Sequence, residues 1–147
     1  MIEGFTDTMR LGLHVCRGNW STREDVLISG DYTPLAPCFE AMKVRQFTLE
    51  YCTPRAGELA AIGPALGADR ELGLGVVNPR TTTAEDPATI VARVEEALQW
   101  WGPDRIFLNP DCGFACFANR GVNVEAIAEA KLAAMVAAAR VLRERHG

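Results

Sequence analysis

No stretch of this chain is apolar for long enough to cross a bilayer. Its opening residues, Met1-Ile2-Glu3-Gly4-Phe5, lack the basic and apolar regions of a secretory leader. These absences point to a cytoplasmic protein with no membrane partner. A basic stripe is missing too: 15 Lys and Arg against 19 Asp and Glu leave a net charge of −4. Nucleic acid is therefore not an expected partner. Five cysteines (16, 38, 52, 112 and 116) do not make a paired disulfide framework. In a reducing compartment they read as buried thiols, metal ligands or nucleophiles. Cys38 and Cys52 are expected to be small buried hydrophobes, and the role of Cys116, in a loop-like segment, stays open. No internal repeat, low-complexity tract or linker breaks the chain.

What is present is alternation. The 147 residues, 48% of them hydrophobic, can bury one ordinary core. Strand-like segments occur at Leu11 to Cys16, Gln46 to Glu50, Glu71 to Val77 and Arg105 to Leu108. Between them lie helical stretches. One opens at Thr33-Pro34, with Thr33 as N-cap, and runs to about Val44. Another covers Ala56 to Ile62 and ends at Gly63-Pro64. A third starts at Asp86-Pro87 and places Ile90, Val91, Val94, Ala97, Leu98 and Trp101 at helical spacing. A fourth, capped by Asn123, closes on Arg140, Arg143 and Arg145, which suit the negative end of a helix dipole. Such a pattern predicts an α/β fold of right-handed βαβ units around a parallel sheet. Four βα units make half of an eight-stranded barrel, and Met1 to Phe5 looks like the tail of an earlier helix. The expectation is a single partial domain over residues 1–147.

Chemistry-bearing residues collect at the strand ends, where parallel α/β folds keep their sites. His14 and Cys16 lie two apart and so share a face. Glu50 ends the second strand, and Cys112 follows the fourth within Asn109-Pro110-Asp111-Cys112-Gly113. One imidazole, one carboxylate and two thiolates suit Zn²⁺ better than Mg²⁺ or Ca²⁺. On spacing alone the same residues also fit a strand histidine hydrogen-bonded in the core, buried cysteines and a solvated glutamate.

Leu13-His14-Val15-Cys16-Arg17-Gly18-Asn19, Leu49-Glu50, Gly73-Leu74-Gly75-Val76-Val77 and Leu108-Asn109-Pro110-Asp111-Cys112-Gly113-Phe114, in this order, resemble the C-terminal catalytic domain of cobalamin-independent methionine synthase and its relatives. Glu129-Ala130-Lys131-Leu132 followed by Met135-Val136 looks like that family's last helix. The resemblance implies the C-terminal half of a (β/α)₈ TIM barrel. It further implies one Zn²⁺ held by His14, Cys16, Glu50 and Cys112, and alkyl transfer to the sulfur of a small thiol. In the synthases the group is a methyl from a folate and the acceptor is homocysteine, the default expectation here. In the related epoxyalkane–coenzyme M transferases it is a ring-opened epoxide.

Coordination to zinc deprotonates a thiol that, with a pKa of about 8.5, is mostly protonated at neutral pH. Among the ligands Glu50 is the candidate to weaken or leave as the substrate sulfur enters. Asp111, beside Cys112, could orient a ligand or cap a turn.

The chain also departs from the family. Asn78-Pro79-Arg80 stands where the folate-dependent synthases carry Asp-x-His. Arg80 cannot act as an acid near neutral pH, which casts folate chemistry into question; it could instead bind an anionic group or anchor a loop. Glu50 to Gly57 looks more like the short, uncharacterised or epoxide-using relatives. Arg17 and Arg55, just past strand ends, could add positive potential at the barrel mouth. Trp101 is expected in the core, and Trp100 against a neighbouring subunit or the absent half.

Two rival readings remain at this level. One is an inactive zinc-binding half-barrel that works only as a homo-oligomer or with a complementary N-terminal half, because its sheet edges are open. The other is a flavodoxin-like module without metal, for which Gly73-x-Gly75 is a poor nucleotide signature.

Overall fold

The structure, a computed structural model, describes residues 3–67 and 69–147, with the side chains of Glu3 and Cys116 outside the description. Met1 and Ile2, in the expected helix tail, therefore lie outside the described residues. Four strands, β1 (Gly12–Val15), β2 (Gln46–Leu49), β3 (Glu71–Val77) and β4 (Ile106–Pro110), form one parallel sheet in chain order. The helices between and after them are α1 (Ala36–Ala41), α2 (Gly63–Leu66), α3 (Pro87–Ala97) and α4 (Glu125–His146). This is the α/β partial barrel that the alternation predicts.

Register explains why the two faces of the sheet differ. Leu13, Phe47, Leu72 and Ile106 are partners in one row, and Val15, Leu49, Leu74 and Leu108 in another. Both rows face the helices, and Phe47, Leu49, Leu72 and Leu74 are fully buried there. Each such side chain contributes about 1.5–3 kcal/mol of transfer free energy. The alternate row, His14, Thr48, Gly73 and Phe107, lines the inner face. That face is polar and open, and it presents the site. The sheet is strongly curled: the Arg10 guanidinium, before β1, sits 4.4 Å from the centre of the Phe107 ring on β4.

The α3 helix follows its sequence over Pro87–Ala97, although Leu98 and Trp101, expected within it, lie past its end. Asp86 accepts from the Ala88 N–H at 2.9 Å, and Ile90, Val91, Val94 and Ala97 are buried on one stripe. Several helical expectations need correction. The stretch at Thr33 is a 3₁₀ turn over Thr33–Leu35 followed by the short α1, and Thr33 makes no cap. Pro37 lacks the N–H that would bond the Thr33 carbonyl in a continuous α-helix. Ala56 to Ile62 breaks into separate 3₁₀ turns, Pro54–Ala56 and Leu59–Ala61, divided by Gly57 at φ +76°. Gly63-Pro64 then opens α2 rather than ending a helix, because proline at a first turn gives up no bond.

Asn123 does not cap α4: its amide donates to the carbonyls of Pro79, at 2.5 Å, and Thr81, at 2.9 Å. Trp101 is in the core as expected. Trp100 instead packs within the chain, over Gly63, where an added Cβ would stand 2.4 Å from the indole. A small antiparallel hairpin, β5 (Ala115–Phe117) with β6 (Arg120–Gly121), has no counterpart in the sequence reading.

Among the described residues β1 and β4 each keep one edge without a strand neighbour. An apolar groove runs beside β4 between α3 and α4, lined by Val94, Leu98, Ile106, Leu108, Met135 and Leu142. No helix among the described residues is long and apolar enough to cross a membrane.

Candidate metal centre

His14, Cys16, Glu50 and Cys112 converge at the C-terminal ends of β1, β2 and β4, with their ligand atoms all within 4.8 Å of one another. The Sγ atoms of Cys16 and Cys112 are 3.7 Å apart. Two thiolates bound at about 2.3 Å to a tetrahedral ion stand about 3.8 Å apart, so this spacing fits a shared Zn²⁺. His14 Nδ1 lies 3.0 Å from the Thr48 carbonyl oxygen. A carbonyl can only accept, so Nδ1 carries the proton and Nε2 is left as the free donor atom for a metal. Burial first, and then the hydrogen bond and charge of the Cys16 sulfur, push the Cys112 thiol up to about 11. This crowded soft donor set gains from a cation between its members.

Glu50 is completely buried and held at both oxygens. Oε1 accepts from the Arg17 backbone N–H at 2.8 Å, and Oε2 from Arg55 Nη2 at 3.1 Å. The Tyr32 hydroxyl accepts from the Glu50 N–H at 3.0 Å, fixing the strand end itself. The sequence suggests Arg17 and Arg55 as rim charges; the structure buries both around Glu50. Arg17 lies over the Tyr32 ring, 4.2 Å from its centre, and Nη1 donates to the carbonyls of Gly30 and Arg55. Arg55 Nη1 donates to the Ile28 carbonyl at 2.6 Å, and Nε sits 3.4 Å from Glu24 Oε2.

Asp111 ties two loops of the site together. Its Oδ1 accepts from the backbone N–H groups of Tyr51 and Cys52, each at 3.0 Å, and its Oδ2 from the Cys52 thiol at 2.7 Å. Burial raises its carboxyl to about 6, with the Glu50 charge adding to the rise and Cys52 and Arg80 opposing it. Cys52 is half-buried and, rather than packing as the small buried hydrophobe expected, donates its thiol to Asp111; burial and then the Asp111 charge push that thiol strongly up. Cys38 is exposed, contrary to expectation, on the solvent side of α1. The Cys116 side chain lies outside the described residues.

Arg80 is fully buried, its Nε donating to Glu24 Oε1 at 2.9 Å and its Nη2 4.0 Å from Asp111 Oδ2. Burial pushes Glu24 up, but hydrogen bonds from Arg80 and Asn78 and the charges of Arg80 and Arg55 hold it below the usual carboxylate range. Glu24 thus joins both arginines. Nothing in its loop sequence signals this, because it comes from a 3₁₀ turn (Glu24–Val26) far from any strand. Lys131, buried in α4, bonds Thr81, Thr83 and Glu85, while Glu85 also accepts from the Asn78 N–H. That anchors the loop carrying Arg80.

Comparison with known proteins points to one family. Residues 6–141 match the family model described as cobalamin-independent synthase, catalytic domain. A methionine synthase of Pyrococcus abyssi is 32% identical over 139 residues, covering 92% of this chain and 34% of that protein. A methionine synthase of Saccharolobus solfataricus is 30% identical over 137 residues, covering 92% and 35%. In fold the chain is similar to a B12-independent methionine synthase from Shewanella sp. W3-18-1, solved in complex with selenomethionine. The TM-score is 0.77 at 17% identity, covering 98% of this chain and 41% of that one. The chain spans about a third of the length of the curated relatives it matches.

Proposed function

This chain belongs to the family of the cobalamin-independent synthase catalytic domain, and from that premise we propose that it carries the zinc-binding part of an enzyme that transfers an alkyl group, by default a methyl, to a small thiol. The observation that carries the reading is the convergence of His14, Cys16, Glu50 and Cys112 within 4.8 Å. Zn²⁺ bound there supplies a Lewis acid that turns an incoming thiol into a thiolate nucleophile at neutral pH.

The chain's own residues do the rest. The Thr48 carbonyl takes the Nδ1–H of His14, which leaves Nε2 as the nitrogen that would bind a metal. The Arg17 backbone and Arg55 hold the Glu50 carboxylate, which would be one of the groups holding the ion and the one to yield its place to a substrate sulfur. Asp111 acts from behind, holding the Tyr51–Cys52 backbone so that Glu50 and Cys112 stay in register. Arg80, itself buried, lies between the exposed Glu24 and the buried Asp111 and offsets the charge of both.

Homocysteine is the default acceptor, in keeping with the relatives' name of methionine synthase. A second reading is an epoxyalkane–coenzyme M transferase-like reaction on another small thiol. It is favoured by Arg80 standing where the folate-dependent synthases have a histidine, because an arginine cannot deliver a proton to a folate leaving group. The residues of 1–147 form, on this proposal, a single partial domain. Its open β1 and β4 edges and the groove beside β4 are covered by a complementary N-terminal half-barrel or a second copy.

Loading the purified chain with Co²⁺ and titrating homocysteine and coenzyme M tests the site. Two thiolate ligands give a sulfur-to-metal absorption band, which a third sulfur should raise by about half. A band that no thiol alters would contradict the reading.

A further inference from the structure

We propose that Arg55 is the positioning residue that receives the Glu50 carboxylate when a thiol displaces it from the metal; the inference rests on the zinc reading above. Glu50 Oε2 already accepts from Arg55 Nη2 at 3.1 Å, while Oε1 accepts from the Arg17 N–H at 2.8 Å. A carboxylate has about four lone-pair directions, so each oxygen can serve one N–H and still face a cation. Glu50 is thus shared between the metal position and a guanidinium.

Of the two partners, the arginine is the fixed one. Its Nη1 donates to the Ile28 carbonyl at 2.6 Å, and its Nε lies 3.4 Å from Glu24 Oε2. Its own carbonyl accepts from Gly30 N–H at 3.2 Å and from Arg17 Nη1 at 3.3 Å. Only 9% of the Arg55 side chain is exposed. The glutamate, by contrast, sits at the end of β2 on a side chain with three rotatable bonds, so it is the group that can shift.

Charge gives the reason for a cation here. A divalent ion with two thiolates and one carboxylate already carries a net negative charge, and a third thiolate adds another. Glu50 is wholly buried, so a displaced carboxylate without a partner would be strongly disfavoured. Arg55 supplies that partner within hydrogen-bond reach. In the exchange, the metal–oxygen bond to Glu50 breaks and a metal–sulfur bond forms. The thiol proton passes to solvent, and the freed Glu50 oxygen turns to the Arg55 guanidinium already bonded to Oε2. Glu24 moderates the effect, because it competes for the same guanidinium and for Arg80.

The test uses the zinc-loaded chain with homocysteine as the probe, comparing wild type with Arg55→Met and Glu24→Gln. Zinc content, thiol affinity by calorimetry and the X-ray absorption oxygen shell are read for each. Arg55→Met should retain zinc, bind homocysteine roughly tenfold or more weakly, and keep its oxygen shell at saturating thiol. Wild type should lose that shell. Glu24→Gln frees Arg55 from its competitor, so it should bind homocysteine several-fold more tightly; this variant decides the matter if Arg55→Met does not fold. A merely structural arginine would lower stability while leaving the thiol affinity and the oxygen shell of the loaded chain unchanged. Unchanged thiol affinity in these variants, with zinc bound in wild type, overturns the proposal alone. Wild-type chain that holds no stoichiometric zinc overturns the metal assignment and the proposal with it.

Discussion

The sulfur atoms of Cys16 and Cys112 meet at 3.7 Å although 96 residues of sequence separate them. One follows the first strand of the sheet and the other the last, so their meeting measures how far the partial barrel curls. Differential alkylation checks the pair. Iodoacetamide should label Cys16 and Cys112 in metal-free chain and spare both once zinc is added. Exposed Cys38 should be labelled equally in both states. Mass spectrometry of the peptides reads the result.

Asp111 accepts three hydrogen bonds in a buried setting. Asp111→Ala leaves the Tyr51 and Cys52 N–H groups without an acceptor, at a cost of about 2–3 kcal/mol. Asp111→Asn keeps an oxygen for both and should lose less. Urea unfolding should show a lowered midpoint at unchanged slope in each, with alanine the lower.

Glu71 sits at the opposite end of the sheet, between Arg10 and Arg45. Burial raises its carboxyl, but hydrogen bonds from Arg45 and Arg10 and their charges outweigh burial and hold it below the usual range. A depressed carboxylate stabilises the fold above its unfolded pKa, about 4.3. That contribution is lost as pH falls through the folded value. Both arginines are half exposed or more, so solvent screening limits it to about 1 kcal/mol. Glu71→Gln should therefore lower stability by up to that amount at neutral pH and flatten the acid side of the stability–pH curve, the variant and wild type converging at low pH.

Gly75 faces the site with no room for a methyl group. An added Cβ would lie 2.3 Å from Asp111 Oδ1 and 2.7 Å from the Leu49 carbonyl oxygen. Gly12, on the same inner face, offers ordinary contact distances of 3.6 Å and more. Gly75→Ala should destabilise by about 1–3 kcal/mol, and Gly12→Ala by far less, as thermal melts of the two variants will show.

These contrasts also indicate what the sequence makes legible. Strand positions follow from apolar rows such as Leu13, Phe47 and Leu72, because each strand buries the same face. The α3 helix is visible because Asp86 and its buried stripe agree. His14, Cys16, Glu50 and Cys112 stand out because strand ends gather donor atoms in a barrel, and the structure brings all four together. The environment of Glu50 is not legible. Arg55, Glu24 and Arg17 come from loops whose pairing is long-range, and no local pattern records which carbonyl or carboxylate a loop arginine will meet. The short helices fail for a local reason: Pro37 and Gly57 interrupt stretches whose composition alone looks continuous.

Zinc stoichiometry of purified chain, wild type against Cys112→Ser, tests the central claim most directly. The wild type should carry about one zinc per chain, and the variant much less while its far-ultraviolet circular dichroism stays unchanged. Equal metal in both proteins would contradict a centre built from His14, Cys16, Glu50 and Cys112.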